Sequence, residues 1–167
     1  TEFLARQFAV FALAWWHMFQ VLTKRPGRMK ALLNSPEFVD AVYRAAAEIK
    51  LPRWYAQQGE AVAVRDRLWP LPNVWMGVSA ENQATANLRI PHLLDTPAAV
   101  RWVSFEPLLT PVDLSRIPGG PVLAGPDSGG LDWGVVGGES GPRDAIRRMD
   151  PEWADDLIGA YGQARVP

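Results

Sequence analysis

The fold is decided by the stretch Asn-Val-Trp-Met-Gly-Val-Ser at residues 73–79, which leads directly into the polar residues Glu81 and Asn82. A strand with one face in water alternates apolar and polar residues, whereas a strand covered on both faces is apolar throughout. The stretch is almost continuously apolar and short, so it predicts a buried strand. Its polar end predicts the point where the chain leaves the sheet.

Runs of the same kind recur along the chain, with amphipathic or capped segments between them. The apolar runs lie at residues 18–22, 74–78, 100–105 and 133–137, and the predicted helices lie at residues 2–15, 35–49, 81–94 and 150–161. In the first helix, Leu4, Phe8, Phe11 and Trp15 recur at three- and four-residue spacing. Strands that alternate with helices indicate βα units and a parallel sheet. We therefore predict an α/β fold of parallel (βα) repeats, a partial TIM-barrel-like architecture.

Short signals mark the ends of several predicted elements. Ser35 and Asp150 each precede a proline and a glutamate, a pattern that is typical of a capped helix start. The segment 111–130 is rich in glycine and proline and predicts a surface loop. We expect residues 1–167 to form one domain.

Composition excludes several classes of protein. Of 167 residues, 48% are hydrophobic, which argues against a disordered chain, and the net charge of −1 gives no global attraction to nucleic acid or membrane. The absence of cysteine excludes disulfides and thiolate-bound metal or iron–sulfur clusters within this chain. No signal peptide or long apolar run is recognisable, so we predict a cytoplasmic location without membrane contact.

Polar residues follow all four predicted strands. They are Thr23, Lys24 and Arg25 after the first, Ser79, Glu81 and Asn82 after the second, Ser104 and Glu106 after the third, and Gly137, Gly138, Glu139 and Ser140 after the fourth. In parallel α/β folds the carboxyl ends of the strands form the ligand-binding side. We therefore expect these residues at one end of the sheet, with Lys24 or Arg25 beside a glutamate. Such a mixed-sign site would bind a zwitterionic or phosphorylated ligand. The alternative is that strand ends are polar because they are exposed.

The glycine-rich stretch 137–141 is the most distinctive motif. Its glycines would let a ligand approach the backbone, and its amides could form an anion nest, or the segment could be a tight turn. Glu81, Glu106 and Glu139 are candidate catalytic residues, since two carboxyl groups about 5 to 10 Å apart can cleave a glycoside. No metal-ligand spacing is present. The strand tryptophans are expected in the core rather than in base stacking.

Four long segments carry a family resemblance. They are HMFQVLTKRPGRM from His17, LPNVWMGVSAENQ from Leu71, RIPHLLDTPAAVRWVSFEPLL from Arg89 and LDWGVVGGESGP from Leu131. In this order they resemble the phage gene product 37/68 family, a domain of unknown function found in phages and bacterial chromosomes. The resemblance covers nearly the whole chain.

The resemblance implies a longer, radical S-adenosylmethionine-like barrel. Members of the family have an upstream segment with closely spaced cysteines, similar to a cluster-binding loop, and continue with another apolar strand. It implies that a parent protein holds an iron–sulfur cluster and S-adenosylmethionine, whereas this chain has no cofactor of its own. The Gly-Gly-Glu at residues 137–139 is not matched to the cofactor-binding motif of those enzymes, which follows an early strand.

Three functions are therefore in view. The first is the C-terminal part of a radical-type barrel enzyme acting on nucleic acid or a nucleotide, inactive as an isolated fragment. The second is a hydrolase that uses strand-end glutamates, and the third is a non-catalytic binding module. The first residue is Thr1, and four strands leave two open sheet edges, so we expect a piece of a longer protein that self-associates when isolated.

Overall fold

The computed structural model describes residues 1–58, 64, 66–123, 129–142 and 144–167. Its helices are α1 (Glu2–Leu13), α2 (Pro26–Leu33), α3 (Pro36–Glu48), α4 (Gln83–Leu94) and α5 (Pro151–Ala164), and its strands are β1 (Phe19–Thr23), β2 (Val74–Ser79), β3 (Val100–Phe105) and β4 (Trp133–Val136). Two short 3₁₀ helices lie at Arg53–Gln58 and Leu114–Arg116.

The strands form a four-stranded sheet in the order β1-β2-β3-β4, and all three pairings are parallel. This confirms the prediction that the four apolar runs are parallel strands of one sheet. The register aligns Val21 with Met76, Val78 with Val103, and Phe105 with Val136. Because side chains alternate along a strand, the register decides which residues share a face.

One face of the sheet carries the helices and the main core. Phe11 of α1 stacks on Phe19 of β1 with ring centroids 4.3 Å apart, and Tyr161 of α5 lies edge-on to Phe105 of β3 at 6.4 Å. Val78 and Val103 on this face are fully buried. We call this side the helix face.

The opposite face carries three tryptophans, and we call it the tryptophan face. The ring centroids of Trp75 and Trp133 are 5.6 Å apart, and those of Trp102 and Trp133 are 5.3 Å apart. Trp102 is buried, as the sequence predicts for a core residue, whereas Trp75 and Trp133 are only half-buried. Leu22 on the same face is 45% exposed. The prediction of core tryptophans is therefore confirmed only for Trp102.

Two helix starts agree with the predicted caps, and one helix is unexpected. Ser35 Oγ accepts a hydrogen bond from the Phe38 amide at 3.2 Å, and Asp150 Oδ1 accepts from the Glu152 amide at 3.0 Å. The stretch after β1, which reads as a turn because of its proline and glycine, is instead the start of α2. Pro26 occupies the first helical turn, where its missing N–H costs nothing and its fixed φ suits the helix.

The segment 111–130 connects β3 to β4 and contributes to the core. Val112, Leu114, Ile117 and Val122 are buried, and the Leu131 amide donates a hydrogen bond to the Val122 carbonyl at 2.8 Å. Residues 124–128 of this predicted surface loop lie outside the described residues. The segment therefore supplies apolar side chains where a regular βα unit would have a helix.

Asn73 joins α1 to the sheet. Its Nδ2 donates to the carbonyls of Phe11 and His17, each at 3.0 Å, while the Phe19 amide donates to the Asn73 carbonyl at 2.9 Å. These bonds position the end of α1 and the start of β1 against β2. Among the described helices, none is both long enough and apolar enough to cross a lipid bilayer.

Gly77 is the sheet position where a side chain is least tolerated. A Cβ atom there would lie 2.4 Å from Trp102 Cε2. We predict that Gly77→Ala lowers the free energy of unfolding by about 1–3 kcal/mol, because the Trp102 indole must shift within a packed layer. Urea unfolding followed by circular dichroism measures the change.

Gly159→Ala is the matched control, because nothing lies within 4 Å of its added Cβ in α5. It should raise the free energy of unfolding by about 0.5–1 kcal/mol through helix propensity. Equal effects of the two substitutions would contradict the packing seen at Gly77.

Candidate functional site

The parallel topology brings the four strand ends to one end of the sheet, which we call the rim. Backbone hydrogen bonds join its segments. The Ala80 amide donates to the Ser104 carbonyl at 2.8 Å, and the segment after β3 is held on both sides, with Leu109 N–H donating to Glu81 O at 2.8 Å and Leu108 N–H donating to Gly137 O at 2.9 Å. The ends of β2, β3 and β4 are thus tied together by main-chain contacts.

Glu81 is the centre of a charged cluster at the rim. The residue is buried, and its carboxylate contacts Lys24 Nζ at 2.6 Å and Arg89 Nη1 at 3.0 Å. Burial alone would raise the pKa of Glu81, but the hydrogen bond from Lys24, backbone hydrogen bonding and the charges of Arg89 and Lys24 together lower it. Glu81 is therefore held as a carboxylate between two cations.

Lys24 and Arg89 differ in what they offer to a ligand. The Lys24 side chain is 60% exposed, while that of Arg89 is 14% exposed and also donates to the Ser79 carbonyl at 2.9 Å. An ammonium has three donors, and Glu81 occupies one of them. Lys24 is thus the accessible cation of the cluster, and Arg89 is its buried support.

Arg89 was not among the residues that the sequence indicates as functional. It lies in the second turn of α4, eight residues after Glu81. One feature of the sequence could have indicated Arg89. A helix that follows a strand packs back against the sheet, so the first turns of α4 lie near the end of β2. Sequence spacing alone does not say which turn faces the carboxylate.

Glu106 occupies the next strand end and is exposed. Ser104 Oγ donates to Glu106 Oε2 at 3.2 Å. A Cβ atom on Gly137 would lie 2.5 Å from Glu106 Oε1, so the glycine leaves room for this side chain. The glycine-rich stretch 137–141 was expected to let a ligand approach its backbone. At Gly137, the space that a side chain would fill is occupied by Glu106.

Glu139 at the end of β4 is paired with Arg147. Arg147 Nη2 pairs with Glu139 Oε1, and Arg147 N–H and Nε donate to Glu139 Oε2 at 2.8 and 2.9 Å. Hydrogen bonds from the Arg147 side chain, aided by its backbone amide and charge, lower the pKa of Glu139 from 4.5 to about 2. The contact pins the segment after β4 and was not anticipated from the sequence.

Two of the remaining predicted site residues serve local structure. Thr23 Oγ1 accepts from the Arg25 amide at 3.0 Å, and Asn82 caps α4 by accepting from the Thr85 amide at 2.9 Å. Gly138 and Ser140 lie exposed after β4, and the Arg25 side chain is exposed after β1. Asn82 therefore has its acceptor occupied, whereas Arg25 and Ser140 remain accessible.

The arrangement presents groups of both charges at one end of the sheet. Exposed Lys24 and Glu106 flank the buried Glu81, so the rim offers both a donor and an acceptor to a ligand. The sequence has no cysteine, and within the described ranges no group of three or more His, Asp or Glu side chains could hold a metal ion. A general acid needs a raised pKa, and the lowered pKa values of Glu81 and Glu139 argue against that role for either of these two glutamates.

We predict that Arg147→Gln raises the pKa of Glu139 from about 2 toward 4.5, because the largest cause of the shift is removed. A carboxyl group whose pKa is lowered in the folded state stabilises the fold at pH values above its ordinary pKa. This stabilisation is lost as the pH falls from 4.5 toward 2. The substitution should therefore destabilise the protein at neutral pH, with the difference from the unaltered protein shrinking in acid. Carboxyl ¹³C shifts followed by NMR during a pH titration measure the pKa.

Arg148→Gln provides the control, since it removes the same charge from the adjacent exposed position. It should leave the titration of Glu139 nearly unchanged. A titration midpoint near 4.5 in the unaltered protein would contradict the pairing.

Comparison with known proteins gives one family and no individual relative. Neither the curated proteins nor the solved structures contain a match to this chain. One family matches over residues 1–167, and its description is "Protein of unknown function (DUF5131)". Since the match covers the entire sequence, the chain belongs to this family of proteins of unknown function.

Proposed function

We propose that the rim binds a small phosphorylated or zwitterionic ligand, with a nucleotide or a nucleic-acid end as the preferred class. The single observation that carries this proposal is the Glu81 cluster. A buried carboxylate is costly unless cations and hydrogen bonds satisfy it, and here one of the two cations, Lys24, stays mostly exposed. Its free donors can bind a phosphate while Glu106 accepts from an amine or hydroxyl.

The parent protein in this proposal is a barrel-type enzyme. A parallel sheet with ligand-facing strand ends is compatible with a partial TIM-barrel-like, radical S-adenosylmethionine-like fold. The phage character, the iron–sulfur cluster and S-adenosylmethionine rest on the sequence resemblance alone. In this scheme the chain supplies substrate-binding residues, and the cluster would be held by cysteines that this chain lacks. The cytoplasmic location stays a prediction.

A hydrolase is the second candidate function, and the exposure of Glu106 supports it. This glutamate is exposed and accepts a hydrogen bond from Ser104, and it forms no ion pair with any residue that the structure describes. Glu81 is ionised and follows the neighbouring strand β2, so the two could divide the acid and base roles. Without chemistry at Glu106, the same rim would be a binding module.

Binding of adenosine monophosphate and of adenosine, each measured by isothermal titration calorimetry, tests the proposal. Adenosine monophosphate should bind more tightly, because only it offers a phosphate to Lys24. We predict that Lys24→Gln weakens binding of the monophosphate at least tenfold, about 1.4 kcal/mol, and leaves adenosine binding unchanged.

Lys50→Gln is the control, since Lys50 is an exposed lysine at the end of α3, away from the strand ends. It should not alter either affinity. An equal loss of affinity in the Lys24 and Lys50 variants would show that the affinity depends on the net charge of the protein. That result would contradict a specific phosphate site at Lys24. Hydrolysis of a phosphodiester or glycoside that is lost in Glu106→Gln would instead support the second candidate.

A further inference from the structure

A hollow lies beside β1, between α1 and α2, and we call it the α1–α2 groove. Its volume is about 360 Å³, within the range of small-molecule sites. Its walls are mainly apolar, formed by Phe3, Leu4, Phe8, Val21, Met29, Leu32, Leu33 and Met76. Phe3 is 71% exposed, although most phenylalanines are buried in folded domains.

The groove has one polar end. Thr23, Arg25 and Arg28 complete its lining, and both arginines are exposed. Neither arginine side chain forms an ion pair or hydrogen bond with any part of the chain that the structure describes, in contrast to Lys24, which pairs with Glu81. Two guanidinium groups that line the same groove without a counter-charge favour binding of an anion there.

The sequence around the arginines opposes the stability of α2. Arg25 is the N-cap and offers no side-chain cap, and the first turn contains no acidic residue. Cations near a helix N-terminus are unfavourable, because that end carries partial positive charge. A local arrangement that destabilises a helix and has no compensating contact in the structure is expected at functional sites. An anion at the two arginines would remove this conflict.

We propose that the α1–α2 groove binds a small amphipathic anion, with an apolar chain or ring against the groove walls and a phosphate or carboxylate on Arg25 and Arg28. Charge complementarity to the two unpaired guanidinium groups selects the headgroup, and the apolar lining selects the body. The groove shares the end of β1 with the rim through Thr23 and Arg25, but its walls are helix-face residues such as Val21 and Met76, whereas Lys24, the cation of the rim proposal, contacts Glu81.

Three probes test the proposal on the unaltered protein: decyl phosphate below its micelle concentration, decanol and inorganic phosphate. Decyl phosphate should bind at least tenfold more tightly than either other probe, because only it uses both parts of the groove. Calorimetry gives the affinities, and NMR shifts of residues lining the groove give the location. This comparison needs no variant and stays decisive if a variant fails to fold.

The double variant Arg25→Gln/Arg28→Gln should weaken decyl phosphate binding at least tenfold without changing decanol binding. Arg116→Gln/Arg148→Gln removes the same charge from exposed positions that do not line the groove and should have no effect. Phe3→Asp should also weaken binding, by removing apolar lining and adding a repelling charge.

Equal affinities for decyl phosphate and decanol, or an unchanged affinity in the Arg25/Arg28 variant, would overturn the proposal. A dimer in sedimentation analysis that dissociates in Phe3→Asp, together with no binding of decyl phosphate, would also overturn it and assign the groove to a second copy. Loss of adenosine monophosphate binding in Lys24→Gln with decyl phosphate binding retained would separate this site from the rim.

Discussion

Parallel pairing of the four strands is the constraint on which the candidate site depends. Since every strand runs in the same direction, the chain must leave the sheet four times at one end. Polar residues that are far apart in sequence, such as Lys24 and Glu81, come together there because each follows its own strand. The close approach also buries Glu81, and a buried carboxylate destabilises the fold unless Lys24 and Arg89 offset its lost hydration. Topology, burial and ion pairing are thus linked at this one residue.

Three glycines allow the layers of the structure to approach closely. A Cβ atom at Gly77, Gly134 or Gly137 would lie 2.4, 2.6 or 2.5 Å from Trp102, Tyr161 or Glu106, respectively. Gly77 thus lets Trp102 pack against the tryptophan face, Gly134 lets Tyr161 of α5 pack on the sheet, and Gly137 leaves space for the carboxylate of Glu106. Glycine at these three positions therefore serves packing, although in a strand, as at Gly77 and Gly134, its usual effect is to weaken the strand.

The sequence predicts the strands to within one residue, because short, unbroken apolar runs between helices are typical of buried parallel strands. It also predicts two helix caps from local chemistry. It does not predict α2, since a proline and a glycine at its start are equally typical of a turn. Arg89 and Arg147 were missed because each pairs across a separation of eight residues, where spacing alone does not reveal contact. The buried apolar residues of the segment after β3 were masked by its glycines and prolines.

The end of β1 shows how strand alternation can separate two proposed binding surfaces. Val21 and Thr23 lie on the helix face and line the α1–α2 groove, and Arg25, two residues further on, lies at the same groove. Leu22 and Lys24 have the opposite parity, and Lys24 meets Glu81, which shares parity with Ser79 on the tryptophan face. The adjacent cations Lys24 and Arg25 therefore have different surroundings. Lys24 pairs with the buried carboxylate of Glu81, whereas Arg25 has no counter-charge among the described residues. Because the side-chain period is two, a shift of β1 by one residue would exchange these positions and leave Glu81 without its exposed partner. The same register that pairs β1 with β2 thus keeps the two cations apart.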